Sequence, residues 1–355
     1  MKRRSIAILL CTALSIGMLA GCAGGGNADA PASEAAEEET PAEEGEEETA
    51  SAEEGGKTYK IGFGNIGEIV QLQLEVKESM ERAAEEAGVE LVYMNNNMDG
   101  ATAVKNADNM VQQEIDGFIE FNVDESVGPT IKETMDAAGI PIIAVDIGIE
   151  GCTFFGADNE TAGRVAGVRL GEVAKERWGQ EPDLLLLVYD STSGETPMGR
   201  VTFMREGLRE VYPDYSEDKI FMIDGGLDAA SAQKAVSDFL SAHPAEKHIA
   251  IGCYHDLYAT ATLAAVETAG RENDCIMVSN NEYCYLDYMK ANPEEPENEC
   301  FVGSVAYFFN RYGDYLIPAM IDVLDGKDIG DAFYVEHEVI TRDNAETYYA
   351  DYLAQ

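Results

Sequence analysis

Positive charge is scarce in this chain. Its 355 residues hold 24 Lys and Arg against 67 Asp and Glu, a formal net charge of −43. A nucleic-acid partner needs a basic surface, so none is expected; such acidity suits a solvated exterior. Histidine is scarcer still: His243, His248, His255 and His337 are the chain's 4, none at metal-ligand spacing from another or from a cysteine. The 7 cysteines include no C-x-x-C pair, so no structural zinc and no other metal is expected. Tryptophan occurs once, Trp178, at a predicted helix end far in sequence from the candidate site residues, which reads as packing. After the first residues no apolar run approaches the roughly 20 needed for a membrane span.

What is present begins at the N-terminus. Lys2, Arg3 and Arg4 precede an uncharged, mostly apolar run from Ser5 to Leu19, followed by "LAGC" at Leu19 to Cys22. A basic start, a short apolar stretch and small residues before a cut describe a signal peptide over 1–21. "LAGC" resembles the lipobox of bacterial lipoproteins. That resemblance implies a Cys22 lipidated on sulfur that becomes the new N-terminus; the plainer alternative is an ordinary signal cut. From Ala23 to about Gly56 there is no aromatic, no Lys or Arg, and much Glu. Such a composition cannot offset the entropy of folding, so 22–57 reads as a disordered acidic tether with a reach of about 30 Å. Export permits disulfides. Cys275 and Cys300, both near the starts of predicted strands, either form one bridge or stay free and buried.

About 300 residues remain for folding, enough for one large domain or two ordinary ones. From Tyr59 the pattern alternates. "YKIGFG" reads as a strand and "LQLEVKESMERAAEEAG" as a helix with Val76, Met80, Ala83 and Ala87 on one face and Gly88 as its stop. Strand and helix patterns repeat through "IPIIAVD" and "TAGRVAGVRLGEVAKERWG", then restart at "DLLLLVYD". Apolar strands without polar alternation are buried on both faces, as in a parallel sheet covered by helices. The expectation is an α/β protein with two doubly wound, Rossmann-like lobes.

"GFGNIG", Gly62 to Gly67, has the G-x-G-x-x-G spacing of a dinucleotide-binding turn. The rest of that site is missing. The second strand ends in "YMNNN" where an acidic residue should meet the ribose, and Glu68 follows the last glycine where its charge would repel a pyrophosphate. No cofactor is therefore expected. The glycines read as part of the first strand and its exit loop, where small residues let a ligand approach.

The stretches "AGIPIIAVD" (Ala138 to Asp146), "FFGADNETAGRVAG" (Phe154 to Gly167), "LSAHPAEKHIAIGC" (Leu240 to Cys253) and "GSVAYFFNRYGDYLIPAMIDVLDGK" (Gly303 to Lys327) resemble, in order and spacing, the type I periplasmic solute-binding proteins of ABC transporters, the ribose- and galactose-binding group. The resemblance implies a three-segment hinge, with crossovers near Asn159, near Tyr307 and around Glu336 to Ile340. Lobe 1 would hold 58–159 plus 308–336, and lobe 2 would hold 160–307 plus 337–355. The ligand would lie between them, at the carboxyl ends of the strands, where open α/β sheets bind ligands in general.

Carried over by position, the resemblance implies ligand contacts from Gln71, Gln73, Asn122, Asp146, Arg200, His255, Asn281 and Tyr307. Carboxylates, amides and an aromatic ring suit a small hydroxyl-rich solute, a monosaccharide or polyol. Leu72, Gln73, Ile147 and Asn280 depart from the ribose pattern, which leaves pentose identity open. The resemblance further implies a lipid-anchored, extracytoplasmic monomer, as in Gram-positive bacteria, that delivers solute to a membrane permease. A ligand sensor serving a chemoreceptor or histidine kinase is the alternative role. A hydrolase is disfavoured: "YDSTSGE" is no G-x-S-x-G elbow, and the four histidines show no triad.

Overall fold

The computed structural model describes residues 58–192, 194–294 and 299–354; the signal segment, Cys22 and the whole acidic stretch lie outside them. Two six-stranded sheets form the frame. The first is built from β1 (Lys60–Asn65), β2 (Glu90–Asn95), β3 (Gly117–Glu120), β4 (Ile142–Val145), β5 (Thr153–Ala157) and β11 (Ala332–Val335), in the order β11-β5-β4-β3-β1-β2, all parallel. The second holds β6 (Leu184–Tyr189), β7 (Ile220–Asp224), β8 (Ile249–Cys253), β9 (Cys275–Asn280), β10 (Phe301–Val305) and β12 (Val339–Ile340), in the order β12-β10-β9-β8-β6-β7. Only β12 runs antiparallel to its neighbour. The central strands are buried along their whole length, as their unbroken apolar sequences require.

Helices cover both faces of each sheet. In lobe 1, α1 (Gln71–Ala87) and α10 (Tyr312–Leu324) pack on one face, while α2 (Gly100–Gln112) and α3 (Gly128–Ala138) cover a second apolar cluster on the other. The buried stripe Val76, Met80 and Ala83 fixes α1, and Gly88, left-handed at φ 67, ends it. Lobe 2 carries α4 (Asn159–Trp178), α5 (Glu195–Thr202), α6 (Met204–Val211), α7 (Ala229–Ala242), α8 (Asp256–Ala269), α9 (Tyr283–Ala291) and α11 (Ala345–Ala354).

Three local features differ from the sequence expectation. The stretch Met198 to Val211 reads as one helix but breaks at Phe203 into α5 and α6, and α6 lies backbone-to-backbone on α4: a Cβ on Gly207 would meet the Arg164 carbonyl, and one on Gly167 that of Met204. The five-residue β5 and the terminal α11 carried no clear period. Third, the glycines of "GFGNIG" do not open toward a ligand. A Cβ on Gly62 would strike Ile115 and Met110, one on Gly64 the carboxylate of Glu120, and one on Gly67 the Gln73 amide. They admit the lobe's own side chains. The described cysteines, Cys152, Cys253, Cys275, Cys284 and Cys300, are all free thiols, so Cys275 and Cys300 form no bridge.

The chain passes between the sheets three times: from β5 to α4, from β10 to α10, and from β11 to β12. His337, on the third passage, ties all three together. Its Nε2 accepts the Asp158 N–H at 3.0 Å, and its Nδ1 lies 3.0 Å from the Ala306 carbonyl, the tautomer that satisfies both. Burial lowers its pKa and holds the ring neutral, as that pair of bonds demands.

Candidate functional site

The carboxyl ends of both sheets face a cleft of about 1520 Å³ between the lobes. Asp146 ends β4 on the lobe 1 side. Its backbone is left-handed at φ 58, and its N–H is bonded to the Phe155 carbonyl on the next strand. This turns the side chain toward the cleft, where Tyr312 on α10 donates its hydroxyl to both carboxylate oxygens at 3.2 and 3.3 Å. Burial pushes the carboxyl up to about 6, against the opposing pull of the Tyr312 bond and the Arg200 charge.

Arg200, on α5 of lobe 2, faces it. Its Nε donates to Asn159 Oδ1 at 2.9 Å, and its guanidinium lies 4.9 Å from the ring centre of Tyr254 and 5.0 Å from that of Tyr307. Tyr307 is buried on the second crossover, its ring stacked with Phe309 at 6.1 Å. Asn280 braces this corner from below: its amide donates to the carbonyls of Cys253 and Arg200, and it accepts from the Tyr307 hydroxyl at 3.4 Å. His255 caps the start of α8 and stacks on Tyr258 at 4.5 Å; burial lowers its pKa.

Two acceptors in the lobe 2 wall of the cleft are unmet. Oδ1 of Asn281, which follows β9 in a left-handed conformation at φ 74, and Oδ1 of Asp256, the first residue of α8, are buried without a hydrogen-bond partner among the described residues. Both residues line the cleft. Burial pushes the Asp256 carboxyl up to about 8. Aromatic side chains complete the walls: Phe154, Phe203, Phe309 and Tyr334.

Of the eight residues expected at the site, five line this cleft: Asp146, Arg200, His255, Asn281 and Tyr307. Leu72 joins them, while its neighbours turn elsewhere. Gln71 is exposed and donates to Glu75 at 2.9 Å. Gln73 is buried, its Oε1 accepting the N–H groups of Ile69 at 2.6 Å and Val70 at 3.2 Å at the head of α1. Asn122 is buried too, and its Oδ1 accepts the Asp124 N–H at 2.7 Å. The amide oxygens of Gln73 and Asn122 thus hold loops, while Asn122 Nδ2 is buried without a partner among the described residues. Sequence reasoning missed Phe154, Phe203, Phe309 and Tyr334; the aromatic pair Phe308-Phe309 beside the expected crossover was the one available signal.

The chain matches the family described as periplasmic binding protein domain over residues 69–328. A comparison with curated protein sequences found no match. Among solved structures, it is similar to an ABC transporter solute-binding protein of Actinobacillus succinogenes with bound D-allose, at 15% identity and a TM-score of 0.63, over 82% of this chain and 100% of that one. A periplasmic ribose ABC transporter protein of Conexibacter woesei is 19% identical at a TM-score of 0.65, over 82% of this chain and 95% of that one. A solute-binding protein of Bacillus halodurans with bound myo-inositol is 18% identical at 0.59, over 83% and 98%. At these identities the likeness speaks for the fold, two doubly wound lobes joined by three crossovers. The 260 residues of the family match, most of the folded chain, decide the rest: this protein belongs to the periplasmic binding protein domain family, whose members bind solutes outside the cytoplasm and are not enzymes.

Proposed function

We propose that the protein is a lipid-anchored receptor of an ABC importer, and that its two lobes close on a small, neutral, hydroxyl-rich solute, a monosaccharide or cyclic polyol. One observation carries the ligand class: a carboxylate at a strand end, Asp146, faces the unmet amide oxygen of Asn281 across a cleft walled by aromatic rings. Acceptors of this kind take hydroxyl protons, and rings pack on the C–H faces of a sugar. The D-allose and myo-inositol of two similar structures support the same class. The cleft of about 1520 Å³ exceeds the roughly 300–1,000 Å³ of a fitted small-molecule site, so a monosaccharide would be enclosed only after the lobes approach. "LAGC" and the acidic segment after it support anchoring through Cys22, with a membrane permease as the partner.

A thermal-shift screen of sugars, polyols, nucleosides and amino acids tests the ligand class. Saturating ligand at about 1,000 times its Kd adds roughly 4 kcal/mol of stability, so a hit will be plain. A response confined to amino acids or other charged solutes would refute the assignment. Metabolic labelling with a fatty acid tests the anchor: label on the wild type and none on Cys22→Ser is expected, and equal label on both would sink it.

A further inference from the structure

Three consecutive residues leave the end of β9 with three different partners. Asn281 faces the cleft. Glu282 is fully buried and accepts from the Tyr307 N–H on the second crossover at 3.0 Å and from the Tyr349 hydroxyl of α11 at 2.6 Å. Tyr283 opens α9, and its hydroxyl reaches across to lobe 1, where it donates to the carboxylate of Glu75 on α1. A solute on Asn281 and a bond on Tyr283 therefore act on one strand end.

Glu75 is an unusual residue for its helix. Its residue is 8% exposed, and Gln71 donates to its other oxygen at 2.9 Å. The titratable groups around it are Glu78 from α1, Glu282 just before α9, Tyr283 from α9, and Tyr349 and Tyr352 from α11. Arg311, on the second crossover, acts on Tyr349. No cation is paired with Glu75 among the described residues.

We propose that the Glu75–Tyr283 contact is a proton-controlled latch between the lobes: a protonated Glu75 holds the lobe arrangement seen here, and its ionisation releases it. An ionised Glu75 in this place is a desolvated charge with a second carboxyl nearby and no compensating cation, and the Tyr283 and Gln71 donors offset its burial only in part. Two events relieve it: proton uptake, or parting of the lobes so that water reaches the carboxylate. The first keeps the latch and the second opens it. The sign follows from linkage. Burial raises the pKa of Glu75 in the latched form, while a parted Glu75 returns to the ordinary carboxylate range. The latched population is therefore highest below that range and falls as pH rises through the raised one. Tyr283, pushed well above the usual tyrosine range, remains a donor throughout.

The test uses the full chain without ligand, labelled with ¹³C at the glutamate carboxyls. One resonance, absent from Glu75→Gln, should titrate above the usual glutamate range. Solution scattering over the same pH series should show a change in radius of gyration with that midpoint in the wild type and none in Glu75→Gln, which mimics the protonated form permanently. The acidic N-terminal segment and His337 titrate alike in both proteins and cancel in the comparison. Tyr283→Phe, which keeps the ring and loses the donor, should also lose the transition and stay in the high-pH form. A scattering transition that persists unchanged in Glu75→Gln, or a Glu75 resonance with an ordinary titration, would overturn the proposal. A variant that only lost stability would retain the transition and so count against the latch.

Discussion

The two lobes share a strand order but spend their polar groups differently. At the carboxyl edge of lobe 1 the amides turn inward. Asn65 donates to the carbonyls of Gly67 and Gln73, Asn106 donates to Asn96, and Asn96 donates to the buried carboxyl of Glu120 at 3.1 Å. Asp146 is the acceptor this lobe presents to the cleft from a strand end. At the matching edge of lobe 2, Asn281 and Asp256 each keep an unmet oxygen in the cleft wall, with Arg200 beside them. Lobe 1 also buries unmet oxygens, on Asn65 and Glu120, but neither residue lines the cleft; an unmet acceptor in the cleft wall is one that a ligand can satisfy. On this reading lobe 1 contributes one gripping carboxylate, and lobe 2 is expected to supply most of the discrimination between solutes.

Removing the single lobe 1 grip should give the largest effect. Asp146→Asn keeps the shape and converts one acceptor into a donor. Hydrogen bonds to a charged group contribute about 1.5–3 kcal/mol each; losing two should weaken binding by roughly a hundredfold or more, measured by calorimetric titration with the screen's ligand. The carboxyl stands at about 6, so affinity in the wild type should decline as pH falls through that value, where the acceptor becomes protonated. Asp146→Asn should lack this decline. Wild-type affinity in Asp146→Asn would remove Asp146 from the site.

The close packing of lobe 1 can be attacked without touching the cleft. A Cβ on Gly64 would lie 2.2 Å from Glu120 Oε2, with Asn96 Nδ2 and Phe118 Cζ each at 3.2 Å. Overpacking of this kind costs about 1–3 kcal/mol, so Gly64→Ala should lower the denaturant midpoint while affinity in the surviving fold changes little. Glu120 sharpens the point. Burial holds its carboxyl well above the usual range of 4.5. A raised folded-state pKa means the proton stabilises the native form, so this contribution is complete below the unfolded value and is lost as pH rises through the folded one. Glu120→Gln should flatten that loss. An equally steep decline in stability toward high pH would place the titration elsewhere.

The lobe 2 contribution is smaller per residue. Asn281→Gly keeps a residue at ease at φ 74 and deletes the unmet oxygen. A neutral hydrogen bond is worth about 1 kcal/mol net, so binding should weaken by roughly five- to tenfold, with closely related sugars now harder to tell apart. A variant that bound all of them as the wild type does would leave Asn281 without a role in discrimination.

Much of the frame was legible in the sequence. "LLLLVY" and "CIMVSN" read as buried parallel strands because each lies within a sheet covered on both faces, and Gly88 and Gly139 read as helix stops because both adopt left-handed C-caps. "TFFGA" and the tail helix carried no period: β5 is short and contains Gly156, and α11 has a kink at Tyr349. At the site, position along a strand was legible and side-chain direction was not. Asp146 and Asn281 end strands and face the cleft. Gln73 sits two residues into α1, where the bare N–H groups of Ile69 and Val70 claim its carbonyl.

Asn122 gives the smallest expected effect and tests the comparison most directly. Its position after β3 marks it as a ligand residue, yet the structure commits its oxygen to Asp124 N–H at 2.7 Å and leaves it out of the cleft wall. Asp124 in turn caps the short helical turn Glu125–Val127 that precedes α3, accepting the Ser126 N–H at 2.9 Å. An alanine here removes a loop tether and no ligand contact. Asn122→Ala should therefore cost about 1 kcal/mol of stability and change affinity by no more than about twofold, close to the resolution of a titration. A loss of tenfold or more in a normally folded Asn122→Ala would show that this amide turns outward when solute enters. Lobe 1 would then be a second source of selectivity, and the division of labour between the lobes would fail.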